Sequence, residues 1–363
     1  MWLLFTAMVF AHQMPDLPLL TLCDGETVAV CRQPATITPD EAERRLQSSD
    51  LVFWADNRDF HVLARRPDRP LLCCTIQSPL EPVPGSSDLW TLTAKVRDLD
   101  RALLDVWLLP ESSGTRPQEW RGPHAPVAPP SVPARDGEIT RHIIRSAELG
   151  EARGLFIYRP PGVGPMPVIY LADGESTEAF AALLRPMIEA GEVPPIMIVG
   201  LWSGPLLSDG ESQPDNRRHY EYLTGWNDEV YRAHERFLVD EVLPLAESLG
   251  ASTAPEDRVL MGFSDGASWA LNTATVHPDL FRGVIAFSYG GQPDTAAKPQ
   301  GFGRIYLAAG AMEPAFHDAT VKVAARLEGR SEAVRLDVGV AGHSQMFRLD
   351  RFPEAVRWVL ARP

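Results

Sequence analysis

The sequence predicts an α/β protein in two parts: a small N-terminal β-sandwich, then a doubly wound, mostly parallel sheet flanked by helices. Three observations carry this. Short β-like runs separated by turn residues fill the first hundred or so positions of the 363-residue chain. Seven prolines then crowd between Pro110 and Pro133; proline fixes φ and lacks an N–H, so neither a helix nor a central strand survives there. Beyond them, strand-like and helix-like runs alternate, which is the pattern of a parallel sheet with crossover helices.

In order along the chain, residues 39–47 read as a short polar helix. The β-like runs are 50–55, 61–64, 71–76, 89–96 and 103–109. Turn-type stretches such as Asp56-Asn57-Arg58-Asp59 and Pro84-Gly85-Ser86-Ser87 separate them. The first domain is therefore residues 1–115, a Pro-rich linker follows over 116–134, and the second domain occupies 135–363. In that last domain strands are expected at 154–159, 167–172, 196–201, 258–262, 283–288, 303–308 and 333–338. Helices are expected at 177–190, 233–248, 264–276, 315–328 and 353–361. The strands are almost wholly apolar, as strands covered on both faces must be.

Composition narrows the partners. The net charge of −14, with no Lys/Arg run, repels phosphates and argues against DNA or RNA. No run approaches the ~20 apolar residues of a membrane helix. The eleven apolar residues at the N-terminus are shorter than a usual signal and lack a preceding basic residue, so cytoplasmic residence is expected. A periplasmic or secreted location is the alternative, if residues 1–11 act as a signal. Four cysteines, Cys23, Cys31, Cys73 and Cys74, form no C-x-x-C pair. Free thiols are expected, with a Cys23–Cys31 bridge as the alternative. No H-E-x-x-H, P-loop or G-x-G-x-x-G is present, so no metal and no cofactor is expected. The oligomeric state is not legible.

The strongest chemical signal is Gly262-Phe263-Ser264-Asp265-Gly266, between an apolar strand and a helix. That context is what a nucleophile elbow needs: a serine at a tight turn, with glycines two before and two after it to avoid Cβ clashes. A serine hydroxyl needs a base. His343 follows the last strand-like run, C-terminal to the serine, in the chain order of the α/β-hydrolase architecture. A carboxylate should orient it, and Glu313 is best placed; Asp318 and Asp294 are alternatives, and Glu313 could equally be a helix N-terminal acid. The oxyanion hole would take the N–H of Asp265 and that of Gly174 or Glu175, in the glycine-containing loop after residues 167–171. Arg218, in Arg217-Arg218-His219-Tyr220-Glu221-Tyr222, could bring a cation and rings to the pocket or lie in a solvated loop.

A resemblance emerges from several segments in order. Asp88-Leu89-Trp90-Thr91-Leu92-Thr93, Trp120-Arg121-Gly122-Pro123-His124-Ala125-Pro126 and Tyr170-Leu171-Ala172-Asp173-Gly174-Glu175 are three of them. Arg218-His219-Tyr220-Glu221-Tyr222 and Leu238-Val239-Asp240-Glu241-Val242-Leu243-Pro244 follow, then Gly262–Gly266 and Gly342-His343. Together they resemble the enterochelin (ferric enterobactin) esterase family and the broader esterase group around it. The resemblance implies hydrolysis of small-molecule esters, including the serine-trilactone of catecholate siderophores. Such proteins often carry two glycines after the elbow and Gly-Gly-His-Asp at the base. This chain has Gly266-Ala267 and Ala341-Gly342-His343-Ser344. The expected activity is carboxylester hydrolysis through an acyl-enzyme; a non-catalytic ligand-binding protein or an acyltransferase on the same fold are the alternatives.

Overall fold

A computed structural model describes residues 19–24, 29–109, 117–162, 164–206, 216–292, 302–329 and 331–361. The N-terminal apolar stretch, the first part of the Pro-rich segment and Asp294 lie outside the described residues. The chain divides into two compact units. One holds the residues up to Val127 together with Gly310–Pro314 and Gly339–Phe347; the other holds the remainder.

The first unit is built of antiparallel strands. They are β1 (Val30–Gln33), β2 (Leu51–Asp56), β3 (Asp59–Arg65), β4 (Leu71–Cys74), β5 (Ser78–Pro79), β6 (Glu81–Pro82), β7 (Leu89–Val96), β8 (Leu103–Leu109) and β9 (Gln118–Arg121). One sheet has the order β1-β7-β3-β2 with β6 also on β7; the other has the order β5-β4-β8-β9. Alternate residues of each strand point inward. Thus Phe60, Val62, Leu92 and Ala94 of one sheet share a core with Leu72, Leu104, Val106 and Leu108 of the other. This is the expected sandwich. Helix α1 (Pro39–Leu46) starts where the hydroxyl of Thr38 accepts the Glu41 N–H at 3.3 Å, and it buries Ala42 and Leu46.

Two expectations change here. Part of the supposed linker is strand: β9 pairs with β8, Leu104 opposite Trp120 and Asp105 opposite Glu119. Pro117 and Pro123 bracket residues that keep every N–H, so proline density did not forbid pairing there. The cysteines are not free thiols either. Cys23 and Cys31 form a disulfide, Cys73 is disulfide-bonded too, and none of the described cysteines is free.

The second unit carries an eight-stranded sheet. Its strands are β10 (Ile139–Arg145), β11 (Ala152–Tyr158), β12 (Val168–Ala172), β13 (Met197–Leu201), β14 (Arg258–Phe263), β15 (Gly283–Phe287), β16 (Phe302–Gly310) and β17 (Ser331–Gly339). The order is β10-β11-β13-β12-β14-β15-β16-β17. The pairs from β13 through β12, β14 and β15 to β16 are parallel, whereas β10–β11 and β11–β13 are antiparallel. Every residue of β12, β13 and β15 is buried. This is the expected α/β-hydrolase sheet.

The helices are α2 (Thr177–Glu189), α3 (Arg217–Tyr222), α4 (Asp228–Arg236), α5 (Leu243–Ser248), α6 (Asp265–Val276), α7 (Pro314–Leu327) and α8 (Gln345–Val359). A π-helical stretch, Phe237–Val242, joins α4 to α5, so the helix expected at 233–248 starts earlier, capped by Asn227 Oδ1 on the Val230 N–H at 3.1 Å. Helix α8 begins at Gln345; Pro353 lies inside it rather than opening it.

Candidate active site

In the second unit, Ser264 sits between β14 and α6 with φ 59° and ψ −122°, a backbone conformation that non-glycine residues rarely hold. The flanking glycines are obligatory. A Cβ on Gly262 would lie 2.0 Å from the Gly266 carbonyl oxygen, and one on Gly266 would lie 2.9 Å from Ala172 Cβ. The turn is held by the Ser264 N–H on the Phe287 carbonyl and the Gly290 N–H on the Ser264 carbonyl, both at 3.0 Å. Gly290 also fits tightly: its Cβ would meet Asp265 N at 2.8 Å. Asp265 opens α6, so its N–H lies in the first turn, where the helix itself supplies no acceptor.

The loop after β12 is the other expected oxyanion source. Asp173 adopts a left-handed φ of 55°, and Gly174–Ser176 form a 3-10 turn. Gly174 packs on the backbone of Gly200, where a Cβ would come within 2.4 Å, and its carbonyl accepts Thr177 Oγ1 at 2.6 Å. Burial, reinforced by the charge of Asp173, pushes the Glu175 carboxyl up to about 8. Its Oε1 is buried without a hydrogen-bond partner.

Arg218 joins these two loops. It donates to both oxygens of Asp173 at 2.7 Å, to Asp265 Oδ2 at 2.8 Å and to the Phe263 carbonyl at 3.3 Å. Burial alone would lower its pKa; the carboxylates of Asp173 and Asp265 hold it raised instead. His219 Nδ1 lies 2.6 Å from the same Asp265 oxygen, at ion-pair distance but without hydrogen-bond alignment. The Tyr222 hydroxyl accepts the Asp173 N–H at 3.1 Å. Arg218 is therefore committed to two carboxylates of the protein, and the segment expected as a possible loop is helix α3.

What fixes α3 is a buried pair that the sequence did not reveal. Arg153 donates to both oxygens of Glu221, at 2.7 and 2.8 Å, with neither side chain exposed. Burial would raise the Glu221 pKa, but hydrogen bonds and charge from Arg153 win and bring it to about 2. His234 nearby is wholly buried, and desolvation lowers it to about 4, so it stays neutral. Helix α6 carries Ser268 and Asn272 one and two turns beyond Ser264. These line a cavity of about 120 Å³ with Leu223, Thr224, Trp226 and Tyr289.

In the first unit, His343 and Glu313 meet. His343 Nδ1 is 2.7 Å from Glu313 Oε2, and Glu313 Oε1 accepts the Gly310 N–H at 2.6 Å. Glu313 is 3% exposed and His343 17%. A carboxylate only accepts, so the imidazole nitrogen that faces Glu313, Nδ1, is the donor of this pair. Backbone bonds lace the two loops: Met312 N–H to the Ala341 carbonyl and Ala311 N–H to the Gly339 carbonyl, both 2.8 Å. Of the other carboxylates considered, Asp318 lies on α7 beside His317, 67% exposed. Of the other histidines considered, His277 pairs with Glu235 at 3.0 Å. Among the described residues, no group of three or more His, Cys, Asp or Glu is placed to hold a metal ion. No helix among them is long and apolar enough to cross a membrane.

Residues 146–348, more than half of the chain, match the family described as putative esterases. The chain belongs to that esterase family. It is a carboxylic ester hydrolase. Among solved structures this esterase is similar to the enterochelin esterase from Shigella flexneri, at 17% identity and a TM-score of 0.66, covering 87% of this chain and 97% of that one. It is equally similar to the enterobactin esterase of the same organism in the presence of enterobactin, with the same identity, coverage and score. The ferric enterobactin esterase from Salmonella typhimurium follows at 14% identity and a TM-score of 0.65, covering 87% of this chain and 98% of that one. At such identities the likeness is one of fold. No protein of curated function matches the sequence.

Proposed function

We propose that this esterase is a serine hydrolase working through an acyl-enzyme on a siderophore-type lactone ester. Ser264 is the nucleophile, His343 the base and Glu313 the group that orients it. His343 Nε2 takes the proton of Ser264 Oγ as that oxygen attacks the ester carbonyl. The N–H of Asp265 and that of Gly174 or Glu175 hold the oxyanion. His343 then returns the proton to the leaving alkoxide, and water activated by the same imidazole releases the acid. The observation that carries this reading is the strained Ser264 at φ 59°, held between two glycines whose Cβ positions are blocked. The substrate class rests on the likeness to esterases solved with enterobactin.

The test has two arms. Ser264→Ala should lose fluorophosphonate labelling and about 10³-fold or more in kcat while keeping its fold. A comparison of short-chain aryl esters with ferric enterobactin should then show preferred turnover of the siderophore. Hydrolysis surviving in the alanine variant would end the serine assignment; indifference to the siderophore would end the substrate assignment alone.

A further inference from the structure

The cavity of about 120 Å³ beside the elbow has all of its described lining in the second unit. Gly290 lines it and donates its N–H to the Ser264 carbonyl at 3.0 Å. Ser268 and Tyr289 line it too, at 0% and 1% exposure. Neither Ser268 Oγ nor Tyr289 Oη has a hydrogen-bond partner in the protein. Gly291 lies against both: a Cβ there would come within 2.7 Å of Ser268 Oγ and 2.9 Å of Tyr289 Oη. Its bare Cα leaves open a space that any side chain would fill. The two oxygens flank that space closely enough for one ligand oxygen to bond both. Asn272 adds a neutral amide to the wall, and Trp226, 57% exposed, adds a ring on the solvent side. No described lining residue carries a charge.

What the two hydroxyls need decides the occupant. An ion entering here would shed its water and meet no opposite charge. A hydrocarbon group would leave both hydroxyls unpaired. A hydroxyl can accept from one and donate to the other, because each hydroxyl does both. Burial raises the Tyr289 phenol, against the pull of Ser268, Arg326 and Asn272, so it keeps its proton and can donate. We propose that this cavity is a specificity pocket of the esterase, in which Ser268 and Tyr289 hold an uncharged hydroxyl carried by the ester. The inference rests on Ser264 being the nucleophile, and it deepens that reading by naming a group the substrate must bear.

Two matched pairs of esters test this, with the hydroxyl on the acyl half or on the alcohol half. The first compares p-nitrophenyl p-hydroxyphenylacetate with p-nitrophenyl p-methylphenylacetate. The second compares p-(hydroxymethyl)phenyl butyrate with p-ethylphenyl butyrate. In at least one pair the wild-type protein should favour the hydroxylated member about tenfold or more in kcat/KM, since a polar site rejects the analogue that leaves it unpaired. Ser268→Ala and Tyr289→Phe should each bring that ratio down about tenfold or to unity. Their Tm should not fall, because neither hydroxyl has a protein partner to lose. No preference in either pair, or a ratio that both variants retain, overturns the proposal. A lower Tm with the ratio unchanged makes the hydroxyls structural and overturns it too. If Ser268→Ala does not fold, Gly291→Ala, whose Cβ fills the space between the hydroxyls, takes its place under the same ratio criterion. If the wild-type protein hydrolyses no ester and takes no fluorophosphonate label, the serine mechanism fails, and titration calorimetry with benzyl alcohol decides the pocket. Binding about tenfold tighter in wild type than in Tyr289→Phe upholds it; equal affinities or no binding overturn it.

Discussion

Glu313 uses both its oxygens: one is 2.7 Å from His343 Nδ1 and the other takes the Gly310 N–H at 2.6 Å. Replacement by glutamine puts an amide N–H where one of these acceptors was. The imidazole then turns or changes tautomer. Glu313→Gln should cost about 10³-fold or more in kcat, as loss of the orienting carboxylate does in other triads, with an unaltered circular dichroism spectrum. A variant as fast as the parent would remove Glu313 from the mechanism.

Arg218 bridges Asp173 and Asp265 with four donated bonds, counting the Phe263 carbonyl. Its loss leaves two carboxylates facing each other across the expected oxyanion site. Arg218→Ala should reduce kcat on the order of 10²-fold, and Arg218→Lys should not recover it, because an ammonium cannot reproduce the bidentate fork. Steady-state kinetics on an aryl ester settle the matter; full recovery by lysine would mean that charge alone suffices.

Glu221 has its pKa lowered from 4.5 to about 2 by Arg153. The sign follows from linkage. Below 4.5 the unfolded chain binds the proton more readily than the native one, so the pair's stabilisation is complete above that pH and disappears as pH falls towards 2. Urea midpoints should therefore fall across this window. In Glu221→Gln, Arg153 keeps Glu151 at 2.8 Å but loses its fully buried partner, at a cost up to the order of 3 kcal/mol at neutral pH. A glutamine variant with the parental midpoint at pH 7 would contradict this.

Glu175 behaves in the opposite sense. Its carboxyl is raised from 4.5 to about 8, so the native state keeps a proton that the unfolded chain releases. Stability should decline as pH climbs through that interval. Glu175→Gln should remove the decline and raise Tm at pH 8 by an amount on the order of a few degrees. Esterase activity should persist, because any oxyanion contact here uses backbone N–H. A lower Tm at pH 8 would mean that the ionised carboxylate has a partner in solution.

The elbow was legible because its chemistry is local: two glycines, one serine, a strand before and a helix after are all written within a few positions. His343 followed from chain order. Other features depend on partners far away. Helix α3 is only six residues long and holds through Glu221 pairing with Arg153, 68 positions distant. Strand β10 exposes much of its surface at a sheet edge, so it lacks the apolar run that betrayed its neighbours. Pro353 suggested a helix start, yet it lies mid-helix in α8, whose first turn is capped by Ser344. The Cys23–Cys31 bridge was only the alternative to free thiols, because spacing alone does not report whether two thiols face each other.

The link between Leu103 and Val340 joins the first third of the polypeptide to its last few dozen residues. During synthesis, β8 leaves the ribosome long before the segment that will carry the imidazole has been translated. Ser264 is made in between. The Leu103–Val340 contact therefore closes only after some 240 intervening residues have been made, which places it among the slow, long-range steps of folding.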